Sequence, residues 1–165
     1  MFLRSLITSI YGSPRLLVAV ASAGSAAVLI GALLFQAAGF APCHLCILQR
    51  WPHLAAVIIG AAILVFRLPM VTAGLGAAAA LITAGLGIYH SLVERHIVAG
   101  PDTCTASPVG SMSAADLLAH IQATPTVRCD DIAWQMLGVT MPNLNAVFSL
   151  IFAALWLRAI VLARR

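Results

Sequence analysis

Two of the four cysteines, Cys43 and Cys46, are separated by only two residues. Thiols at this spacing form a dithiol/disulfide redox centre, half of a zinc site or part of a haem attachment sequence. Haem attachment is excluded because it needs a histidine directly after the second cysteine, and Ile47 occupies that position. The remaining cysteines, Cys104 and Cys129, lack the tight spacing of a zinc ribbon. Redox chemistry is therefore favoured over a zinc site formed by the four thiols.

Arg50 and His53 follow Cys46 by four and seven residues, so all three lie on one face if the segment is helical. With Pro42 in the turn before that helix, free N–H groups and the positive end of the helix dipole would lower the pKa of the Cys43 thiol. A charged side chain at membrane depth must face protein, water or a bound polar group, because exposure to lipid costs several kcal/mol. The alternatives are that Arg50 extends to the lipid headgroups and that His53 is an ordinary packed histidine.

The elements that position these residues follow from composition. Of 165 residues, 62% are hydrophobic and 8% are charged, whereas about a quarter of residues are charged in soluble proteins. This composition indicates a membrane protein, and the length leaves room for about four spans of ~20 residues. The net charge of +4 comes from arginines scattered among apolar segments, so membrane topology explains it better than nucleic-acid binding does.

The apolar runs predict an all-α membrane protein, a four-transmembrane-helix bundle forming a single domain over residues 1–165. A cleaved signal peptide is the alternative for the first run, but that run is longer than the ~7–15 residues of a signal core. Glycines and alanines in the third run allow neighbouring helices to approach closely. The predicted spans are 16–38, 46–66, 70–93 and 143–161.

A polar loop over residues 95–141 contains the second pair of cysteines and four of the five acidic residues. Ser113 and Asp116 resemble a capping box before Leu117, which predicts a short amphipathic helix on the membrane surface. We expect a second short helix from Asp130 to Leu137, ended by a glycine.

Charge distribution predicts the orientation. With four spans both termini share a side, and that side carries six arginines and no acidic residue. The positive-inside rule therefore places the termini in the cytoplasm, and all four cysteines fall on the opposite, oxidising side, which is the periplasm of a bacterium. The alternative for Cys104 and Cys129 is a purely structural disulfide across the loop, which would stabilise the folded protein by ~3 kcal/mol. The arginines on the terminal side are Arg4, Arg15, Arg67, Arg158, Arg164 and Arg165, and those on the other side are Arg50, Arg95 and Arg128.

The combined pattern resembles the disulfide bond formation protein B (DsbB) family of inner-membrane thiol:quinone oxidoreductases. The similarity covers nearly the whole chain, and its specificity lies in the cysteine pattern together with the four spans. The residues that carry it are Cys43-His44-Leu45-Cys46 with Arg50, the loop cysteines Cys104 and Cys129, and the segment Cys129-Asp130-Asp131-Ile132-Ala133-Trp134 running into Leu137-Gly138 and Met141-Pro142-Asn143.

The resemblance implies an electron route in a multi-pass protein of the bacterial inner membrane. A periplasmic thioredoxin-like oxidase of the DsbA type would attack the loop disulfide at Cys104, with Cys129 as its partner. Cys129 would then exchange with Cys43, and Cys46 would lie next to ubiquinone or menaquinone. The resemblance gives these four cysteines catalytic roles and assigns no metal.

The resemblance also implies a set of groups around the quinone. Arg50 would polarise the quinone ring or stabilise the thiolate. Tyr89, His90 and Glu94 resemble polar positions near the same site in relatives. The implied quinone-binding residues are thus Cys46, Arg50, His90 and Glu94.

Two other functions stay open at this point. The first is a non-catalytic membrane scaffold or metal-binding protein in which the cysteines are structural. The second is an enzyme similar to vitamin K epoxide reductase. In that family the Cys-x-x-Cys lies late in the chain, whereas here it opens the second span, which makes this alternative the weaker one.

Overall fold

A computed structural model describes residues 12–101 and 127–165, together with positions 104, 113, 115, 118 and 119. These ranges contain four long helices, and each is long and apolar enough to cross a membrane. Their ends differ from the predicted spans by at most three residues. The predicted four-helix membrane bundle is confirmed. The helices are α1 (Pro14–Ala37), α2 (His44–Val65), α3 (Ala73–Glu94, preceded by a 3-10 turn at Met70–Thr72) and α4 (Met141–Ala163).

Local sequence explains where these helices begin. Pro14 opens α1 at a position where its missing N–H costs no hydrogen bond. Cys43 caps α2, and its sulfur accepts a hydrogen bond from the Cys46 N–H. Thr140 opens α4 in a capping box with Asn143. Two helices that carry the site therefore begin at its edge.

The helices form a closed ring in which each contacts the next in chain order and α4 returns to α1. Trp156 of α4 is fully buried in the centre of this bundle. A Cβ atom at Gly76 of α3 would lie 2.6 Å from the Trp156 ring, so only glycine allows the two helices to approach this closely. The close packing of α3 on α4 holds their polar residues within reach of each other.

The predicted short helix from Asp130 to Leu137 is wrong. Gln135–Met136 and Val139–Thr140 form a two-stranded antiparallel hairpin instead. The two turn residues, Leu137 and Gly138, have φ angles of +52° and +78°, the geometry of a two-residue turn that matches strand twist. Gly138 therefore makes a hairpin turn and does not end a helix. The surface helix predicted from Ser113 lies outside the described residues except for isolated positions.

Candidate redox site

Cys43 and Cys46 are free thiols at the start of α2. Cys43 is 4% exposed, and its thiol donates to the Cys46 sulfur at 2.9 Å. The hydrogen bond to Cys46, together with burial, raises the pKa of the Cys43 thiol. The hydrogen bond from the Cys46 N–H acts in the predicted direction, but these two effects outweigh it. Both effects favour the protonated form of Cys43.

Cys104 and Cys129 form a disulfide with their Cα atoms 5.0 Å apart. Both are buried, at 1% and 0% exposure, and the Cys129 N–H also donates to the Cys104 carbonyl at 2.8 Å. Next to Cys129, the Arg128 guanidinium binds both carboxylate oxygens of Asp130, at 2.9 and 2.6 Å. This pairing lowers the pKa of the Asp130 carboxyl.

The two cysteine pairs lie in one buried cluster. Cys43, Cys104 and Cys129 pack together there with Leu45 and Val93, and Cys46 lies at the edge of the cluster. Residues far apart along the chain are therefore in contact around the sulfur atoms. Thiol–disulfide exchange requires one sulfur to reach another, and this packing brings the two pairs together.

His90 of α3 lies beside the Cys43–Cys46 pair. Its Nε2 atom lies 3.6 Å from the Cys43 sulfur. On the other side of the ring, Nδ1 is 2.9 Å from Gln49 Nε2. His90 is 4% exposed, so these contacts are made away from solvent.

A chain of polar side chains continues from Gln49 into the membrane region. Asn145 of α4 donates to Gln49 Oε1 at 2.7 Å and also contacts His53 Nε2 at 2.7 Å. Ser149, one turn further along α4, lies 3.5 Å from the same nitrogen of His53. Thr83 of α3 lies beside Asn145, and its hydroxyl donates to the backbone carbonyl of Gln49. Three helices thus contribute to one buried hydrogen-bonded network.

A cavity of about 240 Å³ lies beside this network. Its wall is mainly apolar, formed by α1, α2 and α4. Arg50 reaches it, donates to Gln36 Oε1 at 2.8 Å, and has a buried Nε atom without a hydrogen-bond partner among the described residues. The predicted stripe of Cys46, Arg50 and His53 lines this cavity along one face of α2. Its polar wall consists of Cys46, Gln49, Arg50, His53, His90 and Asn145.

A second cavity, of about 40 Å³, lies on the loop side of the cysteines. Cys43 and Glu94 line this one and not the larger one. Cys46 and His90 line both. Glu94 is 5% exposed and accepts a hydrogen bond from the Thr140 hydroxyl. Of the four residues expected to bind quinone, Glu94 is therefore the one outside the larger cavity.

The donor atoms of Cys43, Cys46 and His90 lie within 4.8 Å of one another, a spacing that could hold a metal ion. Cys104 and Cys129 are bonded to each other in the disulfide, so they cannot act as thiolate ligands beside these three donors. A four-thiolate zinc site is thus not assembled in this structure. Three donors remain as the basis of the metal-binding alternative.

Sequence patterns alone did not single out Asn145 or assign a role to Gln49. The available signal was an amide side chain inside an apolar span, where a polar group needs a partner. Which partner it takes depends on how the helices pack, and the packing of α4 on α2 and α3 was not predictable from periodicity.

Comparison with known proteins supports the assignment by sequence pattern. A family model described as disulfide bond formation protein DsbB matches residues 14–159. The chain is also 30% identical over 115 residues to the uncharacterized protein RP370 of Rickettsia prowazekii (strain Madrid E). That match covers 67% of this chain and 66% of the relative, so the chain spans about two thirds of the relative it matches. No solved structure matches.

These findings confirm the resemblance and agree with the four apolar helices and two cysteine pairs of the structure. The four apolar helices and the family match together show a multi-pass membrane protein. The description of the matched family is disulfide bond formation. The chain belongs to the DsbB family.

Proposed function

We propose that this protein is a membrane protein-dithiol:quinone oxidoreductase that generates disulfides. It takes two electrons from a periplasmic thioredoxin-like (DsbA-type) dithiol protein and passes them to ubiquinone or menaquinone. The observation that carries the proposal is the position of Cys46, which adjoins the buried cluster of both cysteine pairs and also lines the apolar cavity with Arg50.

The electron route can be written as a balanced series of exchanges. The partner's thiolate attacks the Cys104 sulfur and releases Cys129, which attacks Cys43 of an oxidised Cys43–Cys46 pair and releases Cys46. The partner's second thiol then displaces Cys104 and leaves as a disulfide. Cys104 attacks Cys129 and re-forms the loop disulfide, which leaves Cys43 and Cys46 reduced. The structure has the cysteine pairing of this last state, with a Cys104–Cys129 disulfide and free thiols at Cys43 and Cys46.

A quinone supplies the final acceptor, since it takes up two electrons and two protons as it becomes a quinol. The residues present fit such a group. An apolar cavity in the membrane region suits a lipid-soluble ring, and the unpartnered Arg50 Nε is a donor that a quinone oxygen would satisfy. Arg50 would orient the ring against Cys46. Re-formation of the Cys43–Cys46 disulfide releases the two electrons.

Entry of electrons places a condition on Cys104. At 1% exposure it is out of reach of a protein thiol. We therefore propose that partner docking is coupled to exposure of this sulfur, and that the loop side faces the periplasm as the arginine distribution predicts. In this arrangement the resting disulfide is protected from small thiols.

The test is quinone reduction by purified protein in detergent, followed by the change in quinone absorbance. A reduced thioredoxin-like partner should drive turnover in the wild type and none in Cys43→Ser or Cys46→Ser. Cys104→Ser should abolish turnover with the protein partner and retain it with dithiothreitol, because a small dithiol can reduce the Cys43–Cys46 pair directly. Unchanged turnover with the partner in either Cys43→Ser or Cys46→Ser would overturn the proposal.

The three donors at Cys43, Cys46 and His90 favour a second candidate, a metal-binding membrane protein. Metal content and free thiols in the purified protein separate the two functions. Stoichiometric zinc that protects two thiols from alkylation would support the second candidate. Two reducible disulfides after oxidation, with no bound metal, would support the oxidoreductase.

A further inference from the structure

The orientation of the Gln49 side chain is fixed by its surroundings. Gln49 Nε2 lies 3.1 Å from the carbonyl oxygen of Leu45, and a carbonyl only accepts hydrogen bonds. That end of the amide is therefore the NH2 group, and it must also be the donor towards His90 Nδ1 at 2.9 Å. An acceptor nitrogen carries no proton, so neutral His90 holds its proton on Nε2.

The orientation of Asn145 is fixed in the same way. Its Nδ2 atom lies 3.1 Å from the carbonyl oxygen of Thr83, so this end is the NH2 group, and it donates to Gln49 Oε1 at 2.7 Å. The opposite end, Oδ1, is an acceptor and faces His53 Nε2 at 2.7 Å. His53 must therefore carry a proton on Nε2 and donate it.

These assignments give a chain of donors that all point the same way. His53 donates to Asn145, Asn145 to Gln49, and Gln49 to His90. The Nε2–H group of His90 then faces the Cys43 sulfur at 3.6 Å, and the Cys43 thiol donates to Cys46 at 2.9 Å.

We propose that Gln49, Asn145 and His53 are positioning residues that hold His90 as the Nε2–H tautomer, so that the chain of donors ends on the Cys46 sulfur and keeps the negative charge of the reduced pair there. The proposal deepens the proposed function, on which it rests, because Cys46 is the sulfur that faces the quinone cavity. Among the described residues, none of the three positioning residues hydrogen-bonds a sulfur atom.

The physical reason is cooperativity between hydrogen bonds. A group that receives a hydrogen bond becomes a better donor, and the effect is larger where water is excluded. Donation by His90 to the Cys43 sulfur strengthens the Cys43 thiol as a donor to Cys46. If the His90 proton were on Nδ1, its Nε2 lone pair would compete with Cys46 for the Cys43 proton, and the charge would be shared between the two sulfurs.

The same arrangement opposes metal binding. A metal at Cys43 and Cys46 needs the Nε2 lone pair of His90, but the network keeps a proton on that nitrogen. Reversal would require the amides of Gln49 and Asn145 to turn, and the carbonyls of Leu45 and Thr83 oppose this. The tautomer thus distinguishes a redox site from a metal site.

The first test is ¹⁵N NMR of the full-length protein labelled at histidine, in detergent micelles with Cys43 and Cys46 reduced. Protonated and unprotonated ring nitrogens have well-separated ¹⁵N shifts, and a His90→Gln variant assigns the signals. We expect Nε2 of His90 to be protonated and Nδ1 unprotonated. A wild-type ring with its proton on Nδ1 would overturn the proposal, whether or not the protein reduces quinone.

The second test uses Gln49→Leu, which removes the donor to His90 with little change in size. Limited alkylation by iodoacetamide, with the modified sulfur identified by mass spectrometry, measures the preference for Cys46 over Cys43. We expect this preference to fall by about fivefold, the change that corresponds to one neutral hydrogen bond. Gln135→Leu makes the same chemical change at an exposed strand position and should leave the preference unchanged.

The outcomes separate the two levels of the proposal. A Gln49→Leu protein that keeps both the wild-type tautomer and the wild-type alkylation preference would overturn the positioning role. Loss of quinone reduction in the wild type would instead overturn the proposed function, while the tautomer measurement would still report on the network. If Gln49→Leu does not fold, the wild-type spectrum alone decides the tautomer.

Discussion

Substitution of Gly87 by alanine tests whether the packing of α3 on α4 sets the geometry of the site. A Cβ atom at Gly87 would lie 3.0 Å from Asn145 Nδ2 and 3.0 Å from the Pro142 carbonyl oxygen. Ordinary van der Waals contact begins at 3.4 Å, so α4 must move by about 0.4 Å to accommodate it. Part of the contact is with backbone, which cannot rotate away. Gly85, two residues earlier in α3, has open space around a Cβ atom.

The magnitude follows from the hydrogen bonds of Asn145. A displacement of this size lengthens its contact with the Thr83 carbonyl, now 3.1 Å, to the limit of a hydrogen bond. Overpacking costs about 1–3 kcal/mol, and the better helix propensity of alanine offsets up to ~1 kcal/mol of that. We expect Gly87→Ala to unfold more readily than Gly85→Ala by about 1–3 kcal/mol, since the propensity gain is common to both.

The assay is unfolding of the two purified variants in mixed detergent, paired with quinone turnover under saturating partner. Gly87→Ala should also show an increased KM for quinone, because Asn145 and Pro142 both line the cavity. Gly85→Ala should match the wild type in KM and be more stable by up to ~1 kcal/mol, because it has the propensity gain without the overpacking. Equal stability and equal KM in the two variants would refute the reasoning that α3–α4 contact positions the network.

Three further predictions concern single contacts. Arg50→Lys should raise the KM for quinone severalfold with little loss of stability, measured by quinone titration, because lysine lacks the planar guanidinium, whose Nε is buried without a hydrogen-bond partner among the described residues. Pairing with Arg128 lowers the pKa of the Asp130 carboxyl. The stabilisation of the folded protein by this pair is therefore present near neutral pH and is lost as the pH falls through the folded-state pKa of Asp130. Arg128→Gln should remove this acid dependence from the rate of loop-disulfide reduction. Thr140→Val should destabilise the protein by about 1–3 kcal/mol in the same unfolding assay, because the buried carboxylate of Glu94 loses a donor.

The helices were predictable because hydrophobic runs of membrane length have few alternatives. Gly138 shows the limit of local signals, since a glycine after a short polar segment ends a helix or makes a turn with similar ease. The hairpin is decided by contacts from elsewhere in the chain: Arg95 donates to the Gly138 carbonyl at 2.8 Å, forty-three positions away in sequence. A pattern read over a few residues does not contain such a contact.

The stripe on α2 was predictable for a similar reason, because Cys46, Arg50 and His53 follow helical spacing within one element. Asn145 belongs to another helix, and its partners depend on how α4 is rotated about its axis. Glu94 likewise follows the family pattern, but its position at the end of α3 places it in the smaller cavity. Contacts within one helix were thus within reach of the sequence, whereas contacts between helices required the structure.

The two cavities share a wall that contains Cys46 and His90, together with Ala41, Ala133, Met141 and Pro142. A water-soluble protein and a lipid-soluble ring cannot share a solvent, and under the proposed function this wall is the place where the two phases exchange electrons. Because Cys46 lines both cavities, sulfur chemistry can cross this wall. A substitution that lets water through this wall should therefore let soluble oxidants take electrons from the reduced thiols. This loss should appear before electron transfer to the quinone slows.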